Sequence, residues 1–454
     1  MMKTAGMGTV LAHAFGKRYE LPVPLSLFVA GGAVVVVASF AVVLPRAVAP
    51  VDGTLLAYPP RRPRPLAVGL GAVVTAALVL CGLVGSQEVA ENLLPVSFWL
   101  LAWIAVPLTC GVIGDWTRPL NPFAAIARAA DRSSLRRRLL GGPEVVPWPR
   151  WLGWWPAVLT FFAAACGELV FNVTATVPHV IAVGLVAYGA ICAAGGFLFG
   201  GDWVTYGELF SVLYGTWGRL GYRRFGAPGA PGFAGGLDAG FEPISSRIAF
   251  VLLLLVSVNF DGLLATPSWV NFEQQLPGHL YAAGWRLQAF RTGTFAALAL
   301  ATVVVFGSFA VWSARVGGVA GRRRKALAGL LPSLVPIAFG YLLVHNIEYL
   351  LDNAQLLFPL LGNPAGVAGW PRLPYPFNDS YEPNIHLLPS AAYWYLSIAV
   401  IIAVHVVALV LAHRHLARNG SDDRRARRSE YPWLVAMVGY TTFSLWLIAQ
   451  PLAK

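Results

Sequence analysis

The sequence predicts an all-α fold: a polytopic integral membrane helix bundle of about ten transmembrane helices, with both termini outside. Three observations predict it. Hydrophobic residues make up 57% of the 454 and charged residues only 12%, with a mean hydropathy of +0.63, far above what a soluble chain carries. About ten stretches approach the roughly 20 apolar residues that cross about 30 Å of hydrocarbon. The connections between them alternate between basic and non-basic, as expected when short loops rich in Lys and Arg stay in the cytoplasm. Sixteen tryptophans fit helix ends that sit in two interfacial belts.

In chain order the stretches fall near residues 22–45, 66–84, 96–113, 151–171, 178–199, 247–266, 292–314, 326–350, 389–412 and 431–450. Arg46, Arg61, Arg62 and Arg64 follow the first, whereas Glu88 and Glu91 are the only charges after the second. Residues 114–150 form a basic cytoplasmic loop that includes Arg118, Arg128, Arg136, Arg137 and Arg138, and the uncharged "NVTATVP" joins the fourth stretch to the fifth. Residues 200–246 read as a cytoplasmic interfacial helix followed by a flexible Gly/Pro-rich linker. Trp203, Leu209, Phe210, Leu213 and Trp217 share one side of that helix, and "GAPGAPGFAGGLDAGF" is the linker. Arg322, Arg323, Arg324 and Lys325 follow the seventh stretch, and six arginines between Arg414 and Arg428 follow the ninth. The loop 351–388 between them is acidic and external, with Asp352, Asp379 and Glu382. The formal charge of +12 is therefore a record of topology, and a nucleic-acid partner is excluded.

The whole chain, 1–454, reads as a single transmembrane domain whose primary partner is the lipid bilayer, placed as a multi-pass protein of the cell (inner) membrane. About eight apolar residues precede "HAFGKRYELP", too few for a signal-peptide core. Cys81, Cys110, Cys166 and Cys192 lie singly in apolar runs and read as small core residues, without disulfide or metal spacing.

The polar residues inside the spans carry the functional signal. Glu168 and Asn172 end the fourth stretch, Asn259 and Asp261 occupy the second half of the sixth, and His345, Glu348 and Asp352 lie in the last turns of the eighth. On the predicted topology all fall in the outer half of the membrane. Tyr341, His345, Glu348 or Tyr349, and Asp352 recur at helical spacing on one face, beyond Pro332 and Pro336, which disturb the backbone hydrogen bonding. A buried charge costs a few kcal/mol, so such groups face a partner, a cavity or water. His405 reads as a hydrogen-bonded core histidine, and His413 and His415 as part of a basic helix end.

Six strings spread over almost the whole chain carry a family resemblance. They are "HAFGKRYELPVPLSLFVAG" (13–31), "ENLLPVSFWLLAW" (91–103), "RPLNPF" (118–123), "GELFSVLYG" (207–215), "NFDGLLATPSW" (259–269) and "MVGYTTFSLWLIAQP" (437–451). In these the chain resembles polytopic bacterial and archaeal membrane proteins commonly labelled fenitrothion hydrolase. The resemblance implies hydrolysis of an apolar organophosphate triester by a membrane-bound phosphotriester hydrolase. It brings no catalytic residues with it. Such chemistry needs an activated water, which His345, Glu348 and Asp261 as ligands of a divalent metal ion would supply, with Glu168 and Asp261 as the catalytic carboxylates. No GxSxG, HExxH or P-loop is present. Two other readings stay open: a proton-coupled secondary transporter using Asp261, Glu168 and His345, and a membrane anchor subunit of a respiratory or metal-handling complex that docks a protein partner through the external loop 351–388.

Overall fold

A computed structural model describes residues 65–225, 232–238, 240–281, 284–319, 323–384, 387–419 and 423–449, together with Ala30, Gly31 and Val34. All regular structure among them is helical. The main helices are α1 (Pro65–Val84), α2 (Leu93–Ile113), α3 (Pro122–Ala130), α4 (Ser133–Leu140), α5 (Trp155–Leu169), α6 (Pro178–Phe199), α7 (Leu209–Gly218), α8 (Ser245–Leu264), α9 (Pro267–Gln274), α10 (Gly284–Val316), α11 (Arg323–Ala354), α12 (Leu357–Gly362), α13 (Ser390–Asn419) and α14 (Asp423–Ala449).

Seven of these, α1, α2, α6, α8, α10, α11 and α13, are long and apolar enough to cross a membrane. The chain is a multi-pass membrane protein. Three of the ten expected stretches are not among the seven. Of residues 22–45 only Ala30, Gly31 and Val34 are described, and both termini lie outside the described residues. The stretch 151–171 folds as the 15-residue α5, whose rise of about 22 Å falls short of the hydrocarbon thickness. The stretch 431–450 is the apolar end of α14, whose first turns carry Asp423, Arg424, Arg425, Arg427 and Arg428. The stretch 114–150, expected as a basic loop, contains α3 and α4, and 351–388, expected as an external loop, holds α12 and the end of α11.

The chain divides into two compact units. The described parts of Tyr58–Ala230 and Asn346–Leu387 make the first, and those of Lys17–Ala57, Pro231–His345 and Leu388–Lys454 the second. In the first unit α6 packs along α3 and α1, and α7 packs against α2 and α5. The close crossing of α6 and α3 requires glycine, because a Cβ at Gly196 would overlap the Ala127 backbone. The interfacial helix expected within 200–246 is α7, and it is enclosed on nearly all faces, with Leu209, Phe210, Leu213, Tyr214 and Trp217 buried.

What fixes α7 is a carboxylate. Glu208, fully buried, caps its N-terminus by accepting from the Phe210 and Ser211 backbone N–H groups at 3.0 and 2.8 Å. The same two oxygens accept from the Ser211 hydroxyl at 2.6 Å, the Tyr188 hydroxyl at 2.9 Å and the Asn121 amide at 2.6 Å. Asn121 in turn caps α3, its Oδ1 accepting from Phe123 and Ala124 N–H, with Pro122 at the first helical position. One buried charge thus joins α3, α6 and α7. The remainder of the unit is knit by loop contacts: Leu93 and Ser86 donate to the Pro364 and Ala365 carbonyls, and Gln355 pairs with the Asn384 backbone at 2.8 and 3.0 Å.

In the second unit α10 packs against α8 and α14, and α13 against α14. Phe260 stacks on Phe295 at 4.9 Å, and Phe306 meets Trp433 and Tyr440 edge-on. Buried Glu273 on α9 is held in a two-point clamp by Arg291 of α10, at 2.7 and 2.6 Å, and receives the Trp269 indole N–H at 2.7 Å. Asp238 is gripped by Arg414 and Arg418 of α13.

Replacing Asn121 with Ala removes the α3 cap and one donor to Glu208, and should cost about 2–4 kcal/mol. The loss is read as a lowered thermal midpoint of the protein in detergent. A midpoint within the scatter of wild type would show that the Glu208 network does not hold the unit.

Candidate functional site

Four helices of the second unit bring the intramembrane polar side chains together. On α8, Asp261 follows the buried apolar stretch Phe250–Val256 by about one and a half turns. On α11, His345 lies one turn beyond Tyr341. His345 Nε2 and Asp261 Oδ2 are 2.6 Å apart. A contact this short holds a hydrogen between the two atoms, so the pair changes charge by one unit whenever it gains or loses a second proton. The imidazole is only 4% exposed and the carboxylate 26%, which leaves the acid as the reachable member.

Below the pair the polar groups continue. Tyr341 is buried and donates weakly to the Thr441 carbonyl at 3.4 Å. Its ring meets His405 of α13 edge-on at 6.4 Å and Tyr440 of α14 at 5.9 Å. His405 Nδ1 lies 2.6 Å from the Ile401 carbonyl, which can only accept, so Nδ1 carries a proton, and Nε2 is hydrogen-bonded to the Thr441 hydroxyl, which also lies 2.8 Å from the Met437 carbonyl. Tyr440 donates to the Leu255 carbonyl at 3.0 Å, with Asn259 beside it. Further along α13, His413 Nδ1 pairs with Glu430 Oε1 at 2.8 Å, both buried. Among the described residues Glu430 Oε2 has no hydrogen-bond partner.

Two features of α11 shape this arrangement. Pro332 and Pro336 lie inside the helix without ending it. They remove two backbone donors, and nearby the Ser333 hydroxyl donates to the Leu330 carbonyl while accepting from the Trp433 indole at 3.0 Å. Gly340 permits the approach of α13, since a Cβ there would lie 2.5 Å from Val404.

Of the residues singled out in the sequence, the structure joins Asp261 to His345. Glu168 belongs to the first unit, where its Oε2 accepts from the Trp103 indole N–H at 2.6 Å. Glu348 and Asp352, half-buried near the end of α11, also fall in the first unit. Asp261 and His345 supply two donors, and among the described residues no three His, Cys, Asp or Glu side chains gather to hold a metal ion. A catalytic zinc ion takes three protein ligands, one more than this pair supplies. The partners of His405 and His413 were missed because Thr441 and Glu430 lie on the next helix, where spacing along the chain carries no signal.

Comparisons with family models, with curated proteins and with solved structures give no match.

Replacing His413 with Phe leaves Glu430 buried without a donor, and should destabilise the protein by about 2–4 kcal/mol. Adding Glu430→Leu should restore most of that loss. A double variant no more stable than the single one, by thermal midpoint, would refute the pairing.

Proposed function

We propose that this protein is a proton-coupled membrane carrier in which the Asp261–His345 pair takes up and releases the coupling proton. The observation that carries the reading is the 2.6 Å contact between two ionisable side chains from separate membrane-spanning helices. Ionisable groups are costly at such a depth, and where they persist they move protons or ions. The pair gives the proton a site whose two members stabilise each other, with the more exposed Asp261 exchanging it and His345 tuning the exchange. Tyr341, His405, Thr441 and Tyr440 extend the polar environment along the unit. The two prolines of α11 weaken the backbone ladder of the helix that bears His345, which favours a small hinge there.

A second reading rests on the same pair together with the resemblance to proteins labelled fenitrothion hydrolase. Asp261 orients the imidazole as a carboxylate does in acid–base catalysis, and His345 then serves as general base toward a water attacking an apolar phosphotriester. This reading needs no metal ion.

The carrier reading is tested in proteoliposomes loaded with a pH dye and challenged with a panel of small organic solutes. Wild-type protein should give solute-dependent proton influx, and Asp261→Asn should reduce it at least tenfold. Equal influx in the variant, or no solute-dependent influx with wild type, would overturn it. Release of nitrophenolate from a nitrophenyl phosphotriester, lost in His345→Gln, would instead select the hydrolase.

A further inference from the structure

The first unit contains a half-open cavity of about 130 Å³, bounded by α1, α2, α3, α6 and α7. Four of its lining side chains are aromatic: Phe98, Phe123, Phe210 and Tyr214. Thr75 and Ser97 are the hydroxyl-bearing aliphatic residues of the lining. The cavity's shape is imposed by two unusual elements. One is the π-helical segment Val96–Ala105 of α2, which contributes Ser97, Phe98 and Ala102. Runs of π-helix are rare and concentrate at functional sites. The other is the Glu208 network, which fixes Asn121 and Phe210 through hydrogen bonds of 2.6 and 3.0 Å.

These features select a ligand class. An apolar cavity near 150 Å³ accepts a benzene-sized molecule, so about 130 Å³ suits a single ring. Aromatic walls favour an aromatic guest through offset-stacked and edge-on contacts, worth about 0.5–1.5 kcal/mol per pair beyond burial. Tyr214 is already committed, its hydroxyl donating to the Ala102 carbonyl at 2.7 Å, and the Asn121 amide is spent on Glu208 and Ser211. Thr75 and Ser97 are therefore the lining residues that can donate to a polar substituent.

We propose that this cavity is a binding site for a small monocyclic aromatic molecule bearing one hydroxyl or comparable polar group. The site lies wholly within the first unit and is independent of the Asp261–His345 pair in the second. A hydrocarbon segment of a lipid tail shares the apolar part of this chemistry but makes no use of the two hydroxyls.

The test uses ¹⁹F NMR of 4-fluorophenol and of fluorobenzene titrated onto the full chain in lipid nanodiscs. Wild type should show saturable binding of both above the linear partitioning into lipid. Ser97→Leu, which fills the cavity, should abolish the saturable component. Ser97→Ala and Thr75→Val, which keep the space, should weaken 4-fluorophenol by about 3- to 10-fold and leave fluorobenzene unchanged. Partitioning without saturation in wild type, or identical binding in all four proteins, would overturn the proposal. So would displacement of 4-fluorophenol by palmitate at equal or lower concentration, which would assign the cavity to an acyl chain.

Discussion

Hydrocarbon offers no hydrogen bonds, so every polar group drawn into a helix bundle must find its partner inside the protein. That constraint organises both units. Glu208 has no exposure and receives hydrogen bonds from two backbone amides, two hydroxyls and a carboxamide. Glu273 takes a guanidinium and an indole, Asp238 two arginines, Glu430 an imidazole and Glu168 an indole. The helices around these acids are fixed because moving any one of them would strand a donor or a charge.

The two kinds of buried acid differ in what their partners can do. The donors around Glu208 are amides and hydroxyls that do not titrate near neutrality, so the arrangement is static and structural. The partner of Asp261 is a histidine, whose unperturbed titration lies near neutral pH. A carboxylate held by amides caps a helix; a carboxylate held by imidazole can trade a proton. On that distinction the second unit carries the proposed chemistry, and the first holds a scaffold with a cavity in it.

Much of the architecture was legible along the chain. Seven helices long and apolar enough to span coincide with apolar runs because burial in lipid depends on local composition, and α5 fell short because its helix runs only from Trp155 to Leu169. The cap at Asn121 was also within reach, since Asn followed by Pro and an apolar run is a helix-start signal. Its bond to Glu208, 87 residues away, was not. Asp261 and His345 were matched by depth, which topology supplies. Glu168 shares that expected depth but is engaged by Trp103, a choice that rests on which helices become neighbours and leaves no periodic trace. His413 looked like one more cation at a basic helix end, because the acid that claims it, Glu430, follows a run of arginines.

The widened coil at Val96–Ala105 has a consequence for how α2 tolerates change. An α-helix advances about 100° per residue, so inserting or deleting one residue ordinarily swings every later side chain to a new azimuth. A π segment already accommodates surplus length, and a deletion inside it has a regular α-helix to relax into. The indole of Trp103, with its bond to Glu168, would then rotate away from its acceptor while the span itself stayed intact. Indel tolerance in this stretch is thus separable from retention of the tryptophan–glutamate contact, and the helix can drift in length over evolutionary time without ceasing to be a membrane span.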